Sequence, residues 1–140
     1  MRKHSLDLEQ SKAVYEDCRQ HIKVKHCYNN VFEVVTDYIS NFRSGKWKVA
    51  YGFAEVMAGL YCCHCFILDE QDKAIDPTIY TQNEPHLQRE YYVMFVFDDV
   101  DEYFNAIESE DYMPALDKHL REQDKQAQQW AKENGLIFVG

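Results

Sequence analysis

Three residue types that thiol enzymes combine occur in this chain as Cys27, His64 and Asp76. A cysteine thiolate attacks a carbonyl carbon, an imidazole serves it first as a base and then as an acid, and a carboxylate fixes the tautomer of that imidazole. These side chains are therefore the candidate catalytic residues. The chemistry that they predict is transfer of an acyl or amide group through a thioester.

Cys27 begins a stretch with helical spacing. Apolar side chains recur from Cys27 to Phe42 at helical steps, and Ser44-Gly45 supplies a stop signal. In the first turn of a helix, unpaired backbone N–H groups and the helix dipole stabilise an anion. The pattern thus predicts that Cys27 lies on the buried stripe of a helix, at the end that favours a thiolate.

His64 and Asp76 follow on predicted strands. The pattern predicts strands over residues 47–54, 60–68 and around 74–78. Because side chains alternate along a strand, His64 shares a face with Cys62 and Phe66, and we expect that face to pack on the helix of Cys27. Asp76 would then lie beside His64 and accept a hydrogen bond from its second ring nitrogen.

The other predicted elements complete an α+β fold. They are a first helix over residues 7–22, a polar loop over 82–90, a central strand over 91–97, helices over 99–108 and 114–134, and a short last strand over 136–139. This order predicts N-terminal helices packed on an antiparallel sheet, followed by C-terminal helices, in a single domain spanning residues 1–140.

Four short motifs in this order resemble the core of papain-like and transglutaminase-like cysteine enzymes. They are Cys27-Tyr28-Asn29-Asn30, Tyr51-Gly52-Phe53-Ala54, His64-Cys65-Phe66-Ile67 and Ile75-Asp76-Pro77-Thr78. The resemblance covers residues 27–80 and departs from the family at Phe66, where many members have tryptophan.

The resemblance implies a role for each member of the triad. Cys27 would be the nucleophile, His64 the general base and then acid, and Asp76 the orienting carboxylate. Gln20 is the candidate side-chain donor of an oxyanion hole, and the backbone N–H of Cys27 is the other donor. Trp47, Tyr51 and Tyr80 are candidate cleft residues, although aromatic strand residues also build cores.

The charge balance limits the partners. The chain has 15 Lys and Arg against 24 Asp and Glu, a net charge of −9, so we expect no nucleic-acid or membrane partner. The start of the chain lacks the apolar segment of a signal peptide, and no apolar run reaches the roughly 18 residues of a membrane span, which predicts a cytoplasmic location. There the five cysteines would be mostly reduced. A protein or peptide with a basic surface is the expected substrate, with no cofactor.

Each candidate also has a simpler structural explanation when taken alone. Cysteine is among the most often buried residue types, and Asp-Pro is a common turn. Cys62 and Cys65 form a C-x-x-C motif that could hold two corners of a zinc site, but on a regular strand they point to opposite faces, so no metal is expected. A non-catalytic acidic module that binds or inhibits a basic protein is the alternative from another functional class.

Overall fold

A six-stranded sheet is the framework of the computed structural model, which describes residues 1–81 and 89–139. The strands are β1 (Lys3–Ser5), β2 (Lys48–Met57), β3 (Leu60–Leu68), β4 (Ala74–Ile75), β5 (Glu90–Phe97) and β6 (Ile137–Phe138). Their order is β1-β5-β2-β3-β4, with β6 beside the start of β3. The protein is thus α+β, as predicted, and β5 is an inner strand, also as predicted.

The sheet is mixed rather than purely antiparallel, which corrects the prediction. Every named strand pair is antiparallel except β3 with β6, which runs parallel through Leu60–Ile137 and Tyr61–Phe138. A parallel pair needs a long connection, and the C-terminal helices supply it. β4 pairs with the end of β3, at Ile67 and Leu68, so the start of β3 is open to β6.

Helices cover the sheet. They are α1 (Leu8–Asp17), α2 (Cys27–Asp37), α3 (Ile39–Arg43), α4 (Val100–Ser109), α5 (Arg121–Glu133) and a short 3₁₀ helix (Pro77–Thr81). Asp99 caps α4 through a hydrogen bond from Asp101 N–H. Within the described ranges, none of these helices combines the length and apolar character needed to cross a bilayer.

Several helix ends differ from prediction for local reasons. α1 ends at Asp17 instead of continuing to residue 22. The helix that begins at Cys27 is interrupted at Tyr38, whose backbone leaves the helical region (φ −116°, ψ 33°) while its ring packs on Trp47. α5 starts at Arg121 instead of near residue 114, because Leu116 has a positive φ that an α-helix cannot contain. Most of the predicted loop over 82–90 lies outside the described residues.

α2 packs on the face of β3 opposite to the one predicted. Val31 and Val34 share a buried cluster with Cys65 and Ile67 of β3, whereas Phe66 lies in a second cluster. Cys65 and Ile67 carry no strongly polar group and are fully covered, which makes them better partners for an apolar helix face. His64 is therefore not beneath α2.

Gly52 lies at the point where β2, β3 and β5 meet most closely. It pairs with His64 on β3 and with Val93 on β5, next to a bulge between Tyr51 and Gly52. A Cβ atom at this position would overlap the carbonyl oxygen of Tyr92. Glycine is needed here because the neighbouring backbone occupies the space of a side chain.

Candidate active site

His64 and Asp76 form a buried ion pair. His64 Nε2 lies 2.8 Å from Asp76 Oδ2, and both side chains are almost fully covered. β3 positions the histidine, and Asp76 directly follows β4, where Pro77 starts the 3₁₀ helix because it cannot donate to a sheet. The sequence therefore brings these two residues together as predicted from their order, through two neighbouring strands.

The Asp76 carboxylate has a full set of hydrogen-bond donors. Tyr91 Oη donates to Oδ2 at 2.7 Å, and the backbone N–H of Thr78 donates to Oδ1 at 3.1 Å. Burial by itself raises the pKa of Asp76, but the charge of His64 and these hydrogen bonds outweigh it and lower the pKa below its usual value of 3.8. Asp76 is thus held as an anion.

The backbone of Asp76 is fixed by α1. Its N–H donates to Ser11 Oγ at 2.9 Å, and Ser11 Oγ donates to the carbonyl of Asp7 at 2.6 Å. Asp7 in turn caps α1 by accepting from the N–H of Gln10. The start of α1 therefore holds the loop that carries the acid, although the sequence predicted only a surface-packed helix in this region.

Cys27 is the first residue of α2, as its pattern predicted. The first backbone bond of the helix runs from Asn30 N–H to His26 C=O at 2.8 Å, so the N–H groups of the preceding turn point out of the helix end. Cys27 retains 8% of its surface exposed. Its thiol lies close enough to His64 to act on the imidazole. Since Nε2 bonds to Asp76, the other ring nitrogen of His64 is the one left for sulfur.

The charges around His64 favour the imidazolium form. Burial by itself lowers the pKa of His64, but the charge and hydrogen bond of Asp76, followed by the hydrogen bond and charge of Cys27, raise it well above the usual 6.5. An imidazolium held by a buried carboxylate is the form of the histidine that can act as a general acid. This arrangement can deliver a proton to a leaving group after the sulfur attacks.

Asn30 connects the helix of Cys27 with the loop of Asp76. Its Nδ2 donates to Thr78 Oγ1 at 2.9 Å and to the Lys23 carbonyl at 2.8 Å, and its Oδ1 accepts from the Lys23 N–H at 2.9 Å. Asn30 is fully buried. An asparagine on the apolar stripe of a helix was the only signal of this role, and sequence reasoning missed it.

A cleft of about 380 Å³ opens beside His64. Tyr28, the residue after Cys27, and Tyr51 stack on one wall with ring centroids 5.9 Å apart. Tyr51 Oη donates to the Pro114 carbonyl at 2.5 Å and so holds the segment that forms the opposite wall. That wall and the floor are built by Gly52, Cys63, Met94, Ala115, Leu116, Asp117, Leu120, Arg121 and Asp124.

The remaining predicted site residues lie elsewhere. Trp47 is buried against Tyr38 and Phe42 and contributes to the core instead of the cleft. Tyr80 is also not a cleft residue, since it stacks on Tyr15 and donates to the Leu8 carbonyl. Tyr51 alone of the predicted cleft aromatics lines the cleft beside His64.

Gln20 is exposed in the turn that follows α1, and within the described ranges no hydrogen bond links it to Cys27 or His64. This position gives the predicted oxyanion donor no fixed orientation, because an exposed side chain without a partner samples several rotamers. The backbone N–H of Cys27, at the open end of α2, is the candidate oxyanion donor whose direction is fixed by the fold.

The cysteine-rich part of β3 does not form a metal-ligand cluster. All five cysteines are free thiols; Cys65 is buried in the core, and Cys63 is exposed and accepts from Gln128 Nε2 at 3.6 Å. Among the residues that the structure describes, no group of three His, Cys, Asp or Glu side chains is arranged to hold a metal ion. Burial raises the pKa of both Cys62 and Cys63, so these thiols have less thiolate character than an ordinary cysteine.

Comparison of the chain with protein-family models, with curated proteins and with solved structures found no match.

Proposed function

We propose that this protein is a cysteine hydrolase or acyltransferase with a papain-like or transglutaminase-like catalytic core, acting on an amide or acyl group. The observation that carries the proposal is the placement of two groups, Asp76 and Cys27, beside the imidazole of His64. Asp76 Oδ2 bonds to Nε2 at 2.8 Å, and the thiol of Cys27, at the start of α2, lies near the same ring. The candidate nucleophile lies at a helix start and the candidate orienting acid is buried and hydrogen-bonded, which are the environments that these two roles require.

The first half-reaction uses all three residues. The Cys27 sulfur bonds to the carbonyl carbon, the imidazolium of His64 gives its proton to the leaving amine, and the C–N bond breaks to leave a thioester. In hydrolysis, water then adds to the thioester, His64 takes its proton, and the C–S bond breaks. The N–H groups at the start of α2 face the developing oxyanion. Hydrolysis is our first choice, although deamidation and amine transfer share the same first half.

A peptide with a basic side chain is the substrate class that the cleft favours. Asp117 and Asp124 lie on one wall, against Arg121 as the only Lys or Arg among its lining residues, while the charge of the His64 imidazolium is paired with Asp76. The chain as a whole carries a net charge of −9, so the protein also attracts a basic peptide at long range. Tyr28 and Tyr51 offer an aromatic wall for the peptide backbone or the stem of a long cationic side chain.

Selective alkylation tests the proposal. Iodoacetamide is applied at about pH 6 to 7, where ordinary thiols are mostly protonated, and the labelled cysteines are mapped by peptide mass spectrometry. We expect Cys27 to react much faster than Cys18, an internal control whose pKa is raised to about 12 by burial and by a hydrogen bond with Asp37. His64→Ala should abolish the fast phase. Equal, slow labelling of both cysteines would contradict the proposal.

An acidic module that binds or inhibits a basic protein is the second candidate. Two observations favour it: Cys27 is only 8% exposed, and the net charge is −9. In that case Asp76 and His64 would serve only to hold β3 and β4 together. The His64→Ala arm of the alkylation experiment separates the candidates, because a purely structural thiol should keep its reactivity when the imidazole is removed.

A further inference from the structure

Tyr91 donates to the same carboxylate oxygen that binds His64. Its hydroxyl lies 2.7 Å from Asp76 Oδ2, and His64 Nε2 lies 2.8 Å from that atom. Tyr91 belongs to β5, which is separated from β3 by β2, so its side chain crosses the sheet face to reach the acid. The Tyr91 side chain passes over Gly52, which has no side chain, and over Ala54, which has only a methyl group, so both residues leave space for it.

The ring of Tyr91 is locked in place. Tyr91 is fully buried, its ring centroid lies 4.9 Å from that of Phe66, and it lies 6.2 Å from that of His64. Burial, followed by the charge of Asp76, raises the pKa of Tyr91 well above its usual value of 10. The hydroxyl therefore keeps its proton and remains a donor throughout the pH range in which an enzyme works.

We propose that Tyr91 is a positioning residue that tunes the His64–Asp76 pair by sharing the charge of Asp76 Oδ2. This inference rests on the proposed function. The phenolic hydrogen takes part of the negative charge of the oxygen and places its own positive dipole end near the imidazolium. The carboxylate then orients His64 without holding its proton too tightly, which matters because that proton must leave in the first half-reaction.

The direction of the effect follows from electrostatics. Tyr91→Phe removes a donor from Asp76 and a positive dipole end from the neighbourhood of His64. Both changes favour the imidazolium, so the pKa of His64 should rise further, by about half a unit to one unit for the loss of one hydrogen bond.

The other groups around the pair do not change in this variant. The titratable and charged groups that act on His64, Asp76 or their immediate neighbours are Cys27 on α2, Cys62 and Cys65 on β3, and Arg89 before β5. Tyr91→Phe keeps the ring and its packing on Phe66, so it alters one hydroxyl only. A shift in the titration of His64 can then be assigned to that hydroxyl.

The test measures the His64 imidazole directly by NMR titration. The variants are Tyr91→Phe and the matched control Tyr92→Phe, a neighbour on the same strand whose ring packs on Trp130 in a different cluster. We expect a shift to higher pH in Tyr91→Phe and none in Tyr92→Phe. The same Tyr91→Phe change in an Asp76→Asn background should shift the titration of His64 by less, since the shared negative charge is gone.

The outcomes separate the two proposals. If wild-type Cys27 is no more reactive than Cys18, the proposed function fails, whatever His64 does. If Cys27 is reactive but folded Tyr91→Phe titrates like the wild type, only the role of Tyr91 fails. Should Tyr91→Phe not fold, 3-fluorotyrosine introduced at position 91 alone strengthens the donor, and the titration of His64 must then move to lower pH. No movement with that residue would also overturn the inference.

Discussion

Asn30 Nδ2 donates to Thr78 Oγ1 at 2.9 Å, and this bond joins the helix of the candidate nucleophile to the loop of the candidate acid. The same side chain binds the backbone of Lys23 on both its N–H and its carbonyl, and so holds the segment that leads into Cys27. One buried amide therefore fixes the relative position of two parts of the site that are 48 residues apart in sequence.

Asn30→Ala is expected to damage both stability and reactivity. The change leaves Thr78 and the backbone of Lys23 without their partners in a buried setting, which costs about 2 to 4 kcal/mol of unfolding free energy. Urea denaturation measures that loss, and alkylation of Cys27 in the folded variant should slow. Asn29→Ala is the control, because the neighbouring Asn29 is exposed. Equal stability of the two variants would show that the Asn30 bonds contribute nothing.

Cys27→Ala should remove the reaction and preserve the fold. Only one small buried side chain is lost, so the unfolding free energy should fall by about 1 to 2 kcal/mol. The rapid alkylation phase should disappear, and thioester adducts with activated acyl probes should not form. Cys63→Ala, which changes an exposed cysteine that lines the cleft beside His64, should retain both. Persistence of the adducts in Cys27→Ala would place the nucleophile elsewhere.

The Asp76–His64 pair predicts a stability that decreases at both ends of the pH scale. The pKa of Asp76 is lowered from 3.8, so its contribution is complete above that value and is lost as the pH falls through the lowered pKa. The pKa of His64 is raised above 6.5, so its contribution is complete below 6.5 and is lost as the pH rises through the raised pKa. The combined contribution is therefore complete between these two values.

Asp76→Asn should flatten both limbs of that profile. The amide cannot ionise, and without its charge the pKa of His64 should fall, so the protein should lose stability near neutral pH. Catalysis should also fall sharply, because an amide can favour the wrong imidazole tautomer. Urea denaturation at several pH values in wild type and variant provides the measurement. Parallel profiles would show that Asp76 and His64 are not coupled.

The acidic wall of the cleft predicts a preference for cationic reagents. Methanethiosulfonate reagents that carry a positive or a negative group are compared for their rates of reaction with Cys27. The cation should react several-fold faster at low salt, and Asp117→Asn combined with Asp124→Asn should reduce that ratio. Asp101→Asn combined with Glu102→Gln on α4 is the charge-matched control, since neither residue lines the cleft. An unchanged ratio would mean that the wall does not select charge.

The sequence could predict the order and element type of the triad because local patterns determine them. The helical spacing after Cys27 and the apolar run around His64 led to the right elements, and the Asp-Pro step marked the end of β4. These signals depend on neighbouring residues along the chain, so a single sequence carries them.

Other features depend on contacts that local patterns do not contain. In the sequence, Tyr91 looks like an ordinary core residue. Its bond to Asp76 depends on strand order and on small residues in β2. The face of β3 that packs on α2 was predicted incorrectly because either face of that strand is apolar enough to be buried. The parallel pairing of β6 required the path of the chain after α5.

Gly52 has a consequence for mutational scanning. Any side chain there must push apart the strands that carry His64 and Tyr91, because the carbonyl of Tyr92 fills the space. Every substitution at position 52 should therefore be depleted under selection for activity, as strongly as at a chemically active residue, although glycine supplies no reactive group. Sensitivity at this position would reflect strand spacing and should not be counted as support for a fourth member of the catalytic set.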